Sequence, residues 1–170
     1  MNAVSFISNC VAQVHLRTTA THKDLSTQQL LWRLTPVSNN IGFAHWHDGR
    51  FEDTRITNTG KSGEDLWVTG NGHKKSGQPV TTPDPRDRMG LRQLAIPSLE
   101  PPVEYAEVVH QRTSDYINGL PSEDLDNSPD AAVSEITVSG SLRHLVTHKN
   151  HHRGQIDYLC GLQAEAWDLP

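Results

Sequence analysis

Two histidines four residues apart, His148 and His152 in HLVTHKNHHRGQIDYLCGL, are the side chains of this chain best suited to chemistry. On a helix that spacing sets both imidazoles on neighbouring turns of one face, where they can aim nitrogen lone pairs at a common point about 2.0–2.1 Å away. Such a pair chelates a divalent metal, and the third ligand must come from another element. NNIGFAHWHDGRFED supplies it: His47 shares a helical face with Phe43, Phe51 and Thr54, so an inward-pointing ring there can meet the pair across the bundle axis. His45 is displaced from His47 by about 200° and is expected to face outward. Three neutral imidazoles leave a divalent ion its full charge, and an open fourth position can take water, whose pKa then falls to about 7, or a thiolate or carbonyl oxygen. The residues between the pair are Lys149, Asn150 and His151, so the glutamate of the HExxH zinc-protease signature is absent and that route to peptide hydrolysis is disfavoured.

Histidines at this spacing also occur on ordinary solvated or half-buried faces. Ligation is favoured here because both lie on the apolar side of their helix, where unpartnered imidazoles are costly unless coordination satisfies them. Glu52, Asp53, His144 and His151 are candidates for proton transfer, each expected at the surface or in support of the ligands. Gln155, three residues beyond His152, is placed to orient one of them. Cys160 reads as a small buried hydrophobe, Trp32, Trp46 and Trp67 as packing, Arg50 and Arg153 as solvated charge, and His73 in GNGHKK as surface.

Four helical segments can position these groups. The first runs from about Asn2 to Thr21, with Val4, Ile7, Val11, Val14 and Ala20 at mixed three and four spacing. A second begins after Ser38 or Asn39, either able to cap it, and ends near Asn58. The third opens on Pro101 and Pro102, suited to a helix start, and carries Val103, Ala106, Val109 or His110, Thr113 and Ile117. The fourth spans Ser139 or Ser141 to Ala164, with Leu142, Leu145, Val146, His148, His152, Ile156, Leu159 and Gln163 along one broad face. Half of the 12 glycines and six of the 10 prolines fall between Thr57 and Pro102. That stretch is expected to be a long irregular connection, packed on the surface or covering a site, with a short helix near Asp87 to Leu94. LPSEDLDNSPDAAVSEIT reads as an acidic surface crossover. Four long helices and no run of alternating residues predict an all-α four-helix bundle in one domain spanning residues 1–170.

Composition narrows the classes further. With 170 residues, a net charge of −5, 35% hydrophobic and 21% charged residues, the chain suits one compact soluble domain. Fifteen Lys and Arg against twenty Asp and Glu make no basic stripe, which argues against nucleic-acid binding. No apolar run approaches the roughly 20 residues that span a bilayer, and the first residues lack the pattern of a secretory signal. Two cysteines build neither a disulfide framework nor a thiolate zinc cluster, so a reducing cytoplasm is the expected location.

Together, IGFAHWHDGRFED and LVTHKNHHRGQIDYLCGL, with the lead-in LSTQQLLWRLTPVSNN and YAEVVHQRTSDYINGLPSEDL between them, resemble the DinB-like superfamily of bacterial four-helix metalloproteins, also called YfiT-like or damage-inducible. The likeness covers most of the chain and is loose over residues 60–100. It implies an up-down-down-up bundle, frequent dimers, and a divalent ion, commonly nickel or zinc, on His47, His148 and His152. Activities in the family include thiol-dependent transferases and isomerases as well as metal-dependent hydrolases. The expected function is therefore a metal-dependent enzyme activating water or a low-molecular-weight thiol toward a small-molecule substrate. The rivals are a non-catalytic metal-binding bundle, whose site would be closed by a further protein ligand, and a degenerate site that holds no ion.

Overall fold

The structure, a computed structural model, describes residues 2–164 except 23–24, 61–62, 84–86, 88–89, 92–93, 95, 97 and 130–135. Four long helices form the frame: α1 (Ala3–His22), α3 (Ile41–Gly60), α6 (Glu100–Asn118) and α7 (Val138–Gln163). Among the described residues, the short helices α2 (Thr27–Leu31), α4 (Leu66–Thr69) and α5 (Gly72–Lys75) and a 3-10 turn at Ser122–Asp126 lie in the connections. The described residues contain no strand.

Local chemistry sets the helix starts. Asn2, Asn40 and Thr137 each accept a hydrogen bond from a backbone N–H three residues on, which satisfies a donor that the first turn leaves free. The cap of α3 is thus Asn40, not Ser38 or Asn39; Ser38 Oγ is occupied in its own turn, accepting from Thr35 N and donating to Thr35 O. The short α2 has a reciprocal capping box between Ser26 and Gln29, an S-x-x-Q signal present in the sequence but not read as a helix start. The helix expected at 87–94 lies largely outside the described residues.

Pairings between side chains give the directions. Along α3, His47, Asp48, Phe51 and Thr59 meet His152, Lys149, His148 and Ser141 of α7 in falling order, so those helices are antiparallel. Gly49, Asp53 and Gly60 meet Tyr105, Arg112 and Tyr116 in rising order, so α3 and α6 run parallel. Ser8 meets Asn118 and His15 meets Glu107, which makes α1 antiparallel to α6. The result is the up-down-down-up arrangement. Its two parallel neighbours explain the long connection after α3, because a helix of 20 residues is about 30 Å long and the chain must return that whole distance before α6 begins.

The apolar core is divided. At one end Val4, Val11, Ile56, Ile117, Leu142 and Leu145 pack together, and at the other Leu30, Ile41, Ala44, Ile156, Leu159 and Cys160. A third cluster, Phe43, Trp46, Trp67, Leu94, Ile96, Tyr105 and Val109, binds the connection to α3 and α6. Asp53, wholly buried, anchors the same connection: it accepts from the backbone N–H groups of Leu66 and Trp67 and from Arg50, Arg112 and Tyr105. On α1 the buried stripe continues from Val14 through His15 and Thr18, while Ala20 is exposed.

Candidate metal centre

His47 on α3 and His148 and His152 on α7 converge. One nitrogen from each lies within 4.8 Å of the other two. Ring centroids are 4.4 Å apart for His148 and His152, 4.9 Å for His47 and His152, and 5.3 Å for His47 and His148. Nitrogens sharing one tetrahedral ion stand about 3.3 Å apart, a difference of the size that rotation of the rings supplies. Phe43 stacks on His47 and Phe51 on His148, the latter with centroids 3.5 Å apart, so aromatic faces brace two of the three rings. His152 Nδ1 donates to Gln155 Oε1 at 3.0 Å, and Gln155 Nε2 donates to His151 Nε2 at 2.8 Å. Gln155 therefore orients a candidate ligand, as its spacing suggested.

Electrostatics keep two of the rings, His47 and His152, neutral. Burial, then His152 and His148, push His47 down to about 4, and burial followed by His148 pushes His152 to about 4. Three imidazole nitrogen donors with no carboxylate among them suit zinc, nickel or another first-row divalent ion and fit poorly with calcium or magnesium, which prefer oxygen. On this donor chemistry the residues fit the ion that the sequence implied.

The cluster lies in the seam between α3 and α7, and not on the bundle axis where sequence reasoning put it. His47 and His148 are half-buried, and His152 is 9% exposed. The axis is taken by charge. Lys149 is 2% exposed, and its ammonium donates to Asp48 Oδ2 at 3.0 Å and to Glu52 Oε2. Burial opposes ionisation of all three, yet their mutual attraction overrides it. Asp48 is held well below the usual carboxylate range and Glu52 at about 2, and Lys149 is raised above the ordinary lysine value. Glu52 Oε1 faces His110 Nδ1 at 3.7 Å, and His110 stacks on His15 with centroids 3.8 Å apart.

Several expectations are corrected by this layer. Glu52 and Asp53 are fully buried and ion-paired, away from the surface. His45 is 3% exposed because it faces the interior, where burial lowers it to about 4. His73 is buried, with Nδ1 2.8 Å from the carbonyl oxygen of Trp67. Arg50 and Arg153 are also largely buried: Arg50 bridges Asp53 and Asp65 under Trp67, and Arg153 pairs with Asp157. Cys160 is buried and its thiol is pushed up to about 11 by that burial, as a packing residue should be. His144 and His151 remain at the surface; His144 edges onto Phe51 and meets Arg55.

The sequence carries a signal for the polar layer. Leu142, Leu145, Lys149, His152, Ile156 and Leu159 alternate three and four apart, which places Lys149 on the central stripe of α7, while Asp48 and Glu52 stand one turn apart on α3. A lysine on such a stripe calls for buried carboxylates.

The connection after α3 reaches the shoulder of the site, since Leu94 and Ile96 pack in one cluster with Phe43. No helix among the described residues is long and apolar enough to cross a membrane. A search of curated proteins finds no match. Among solved structures, the crystal structure of a conserved protein from Enterococcus faecalis superposes with a TM-score of 0.83 at 18% identity, covering 95% of this chain and 97% of that one, a likeness of fold. The family model of the DinB superfamily matches residues 12–156, a span that runs from α1 to α7 and includes all three clustered histidines, and the chain belongs to the DinB superfamily.

Proposed function

We propose that this protein is a divalent-metal-dependent enzyme, with His47, His148 and His152 as the ligands and zinc or nickel as the ion. The observation that carries the reading is the convergence of three imidazoles, from helices far apart in sequence, with one nitrogen of each within 4.8 Å of the others. An ion held there supplies a Lewis acid that lowers the pKa of water or of a low-molecular-weight thiol, the nucleophile for a small electrophilic substrate. Among the described residues no fourth His, Cys, Asp or Glu joins the cluster, which favours an exchangeable position over the closed site of a structural ion. The seam position supports the same reading, because half-buried His47 and His148 leave access for a small molecule. Phe43 and Phe51 limit ring motion, Gln155 orients His152, and Leu94 and Ile96 provide an apolar shoulder beside Phe43.

The test is metal analysis of purified protein followed by thermal-shift measurements. One ion per chain, lost in His148→Ala, is the expected result; equal metal content in both proteins would remove the proposal. A further rise in melting temperature on adding a small thiol, seen only with metal present, would select thiol transfer over hydrolysis.

A further inference from the structure

His148 Nδ1 and Asp48 Oδ1 face each other at 3.6 Å, slightly beyond hydrogen-bond length, and each is buried with no other polar partner. The second oxygen of Asp48 is held at 3.0 Å by Lys149, and Lys149 is itself held by Glu52. Asp48 thus has one oxygen committed to the bundle interior and one aimed at the ring of a proposed ligand. We propose that Asp48 is a positioning residue of the metal centre: its Oδ1 accepts a hydrogen bond from Nδ1–H of His148, which leaves the Nε2 lone pair for the ion, and Lys149 fixes which oxygen does so. This assignment rests on the metal reading above. It completes a pattern on α7, because the Gln155 amide oxygen already accepts a hydrogen bond from Nδ1 of His152. A ligand imidazole must carry its proton on the nitrogen that does not bind, and an acceptor on that nitrogen selects the tautomer.

The Lys149 contact gives the proposal an unusual consequence. An ammonium donates only, so in Asp48→Asn it would claim the amide oxygen and turn the NH2 toward His148. His148 Nδ1 would then have to accept, and its proton would move to Nε2, the nitrogen needed by the ion. Removing the ammonium as well, in the double variant Asp48→Asn with Lys149→Met, frees the amide to turn its oxygen back to the ring. A merely structural role for Asp48 predicts no such reversal.

Long-range proton–nitrogen correlation spectra of the full-length metal-free protein, with His148 assigned by its loss in His148→Gln, read the tautomer directly. Zn2+ titration of the same samples reads affinity. The expected results are Nδ1–H in the wild type, Nε2–H in Asp48→Asn with affinity about 10–100-fold weaker, and recovery of both in the double variant. His148 as Nε2–H in the wild type, or an Asp48→Asn protein with unchanged tautomer and Zn2+ affinity, would overturn the assignment. The wild-type spectrum decides even if the variants do not fold. A wild type that shows Nδ1–H yet takes up no Zn2+ defeats the metal reading while supporting the Asp48 pairing.

Discussion

Lys149 shows how a single side chain can govern a core. Its ammonium stands between two carboxylates in the middle of the bundle, where each charge is tolerable only because of the others. Replacing it by methionine keeps the volume and strands Asp48 and Glu52, so Lys149→Met should cost about 3–5 kcal/mol near neutral pH by urea unfolding. Both carboxyls would then titrate at higher pH than in the wild type. Acid neutralises them, and the gap between variant and wild type should narrow as pH falls; a gap that widens would contradict the account. Imidazoles impose the opposite demand on the solvent. His45 is held at about 4 and His15 below its ordinary value, both mainly by burial, so between 6.5 and 4 the unfolded chain binds more protons than the folded one. Their contribution is complete above 6.5 and is lost as pH drops through that window, about 3 kcal/mol for a shift of the size of His45's. The melting temperature of metal-free protein should fall over the same range, and a flat profile would argue against neutral buried rings.

At the scale of elements, the parallel pair α3 and α6 demands the long return, and Asp53 with Trp67 fastens it. Trp67 is fully buried, edge-on to Trp46 and Tyr105, and its indole N–H donates to Val80 O at 3.0 Å. Trp67→Ala should cost about 3–5 kcal/mol, the range for truncating a large core aromatic, measured by denaturant unfolding. Less than about 1 kcal/mol would mean that the return is not part of the cooperative core. The wealth of glycine and proline from Thr57 to Pro102 identified this segment as irregular. It did not reveal that Trp67, Leu94 and Ile96 would be core residues, because irregular backbone has no period from which an inward face can be read. The long helices were legible to within a few residues, since caps and stripes are local properties; the α3 start slipped to Asn40 because several neighbouring side chains could cap equally well.

For the whole molecule, the candidate centre ties α3 to α7, two helices with the whole of α6 and both long connections between them in the chain. An ion that binds only when they are docked stabilises the fold by mass action, about 2.7 kcal/mol at a free concentration one hundred times its dissociation constant. Zn2+ or Ni2+ should therefore raise the melting temperature of the wild type and leave that of His47→Ala nearly unchanged, even though the other two ligands remain on one helix. An equal rise in both would place binding elsewhere.

Helical periodicity alone determined that His148 and His152 share a face, that α7 carries a lysine among its apolar positions, and that four long helices would pack, because 3.6 residues per turn fixes the angles between side chains of one helix. It could not determine how each helix is rotated against its neighbours. In the folded chain α3 turns Asp48 and Glu52, and not His47, to the axis, moving the three imidazoles into a half-open seam and burying His45. Only tertiary packing decides that rotation, since the compensation of Lys149 by its carboxylates exists only once α3 and α7 are in contact.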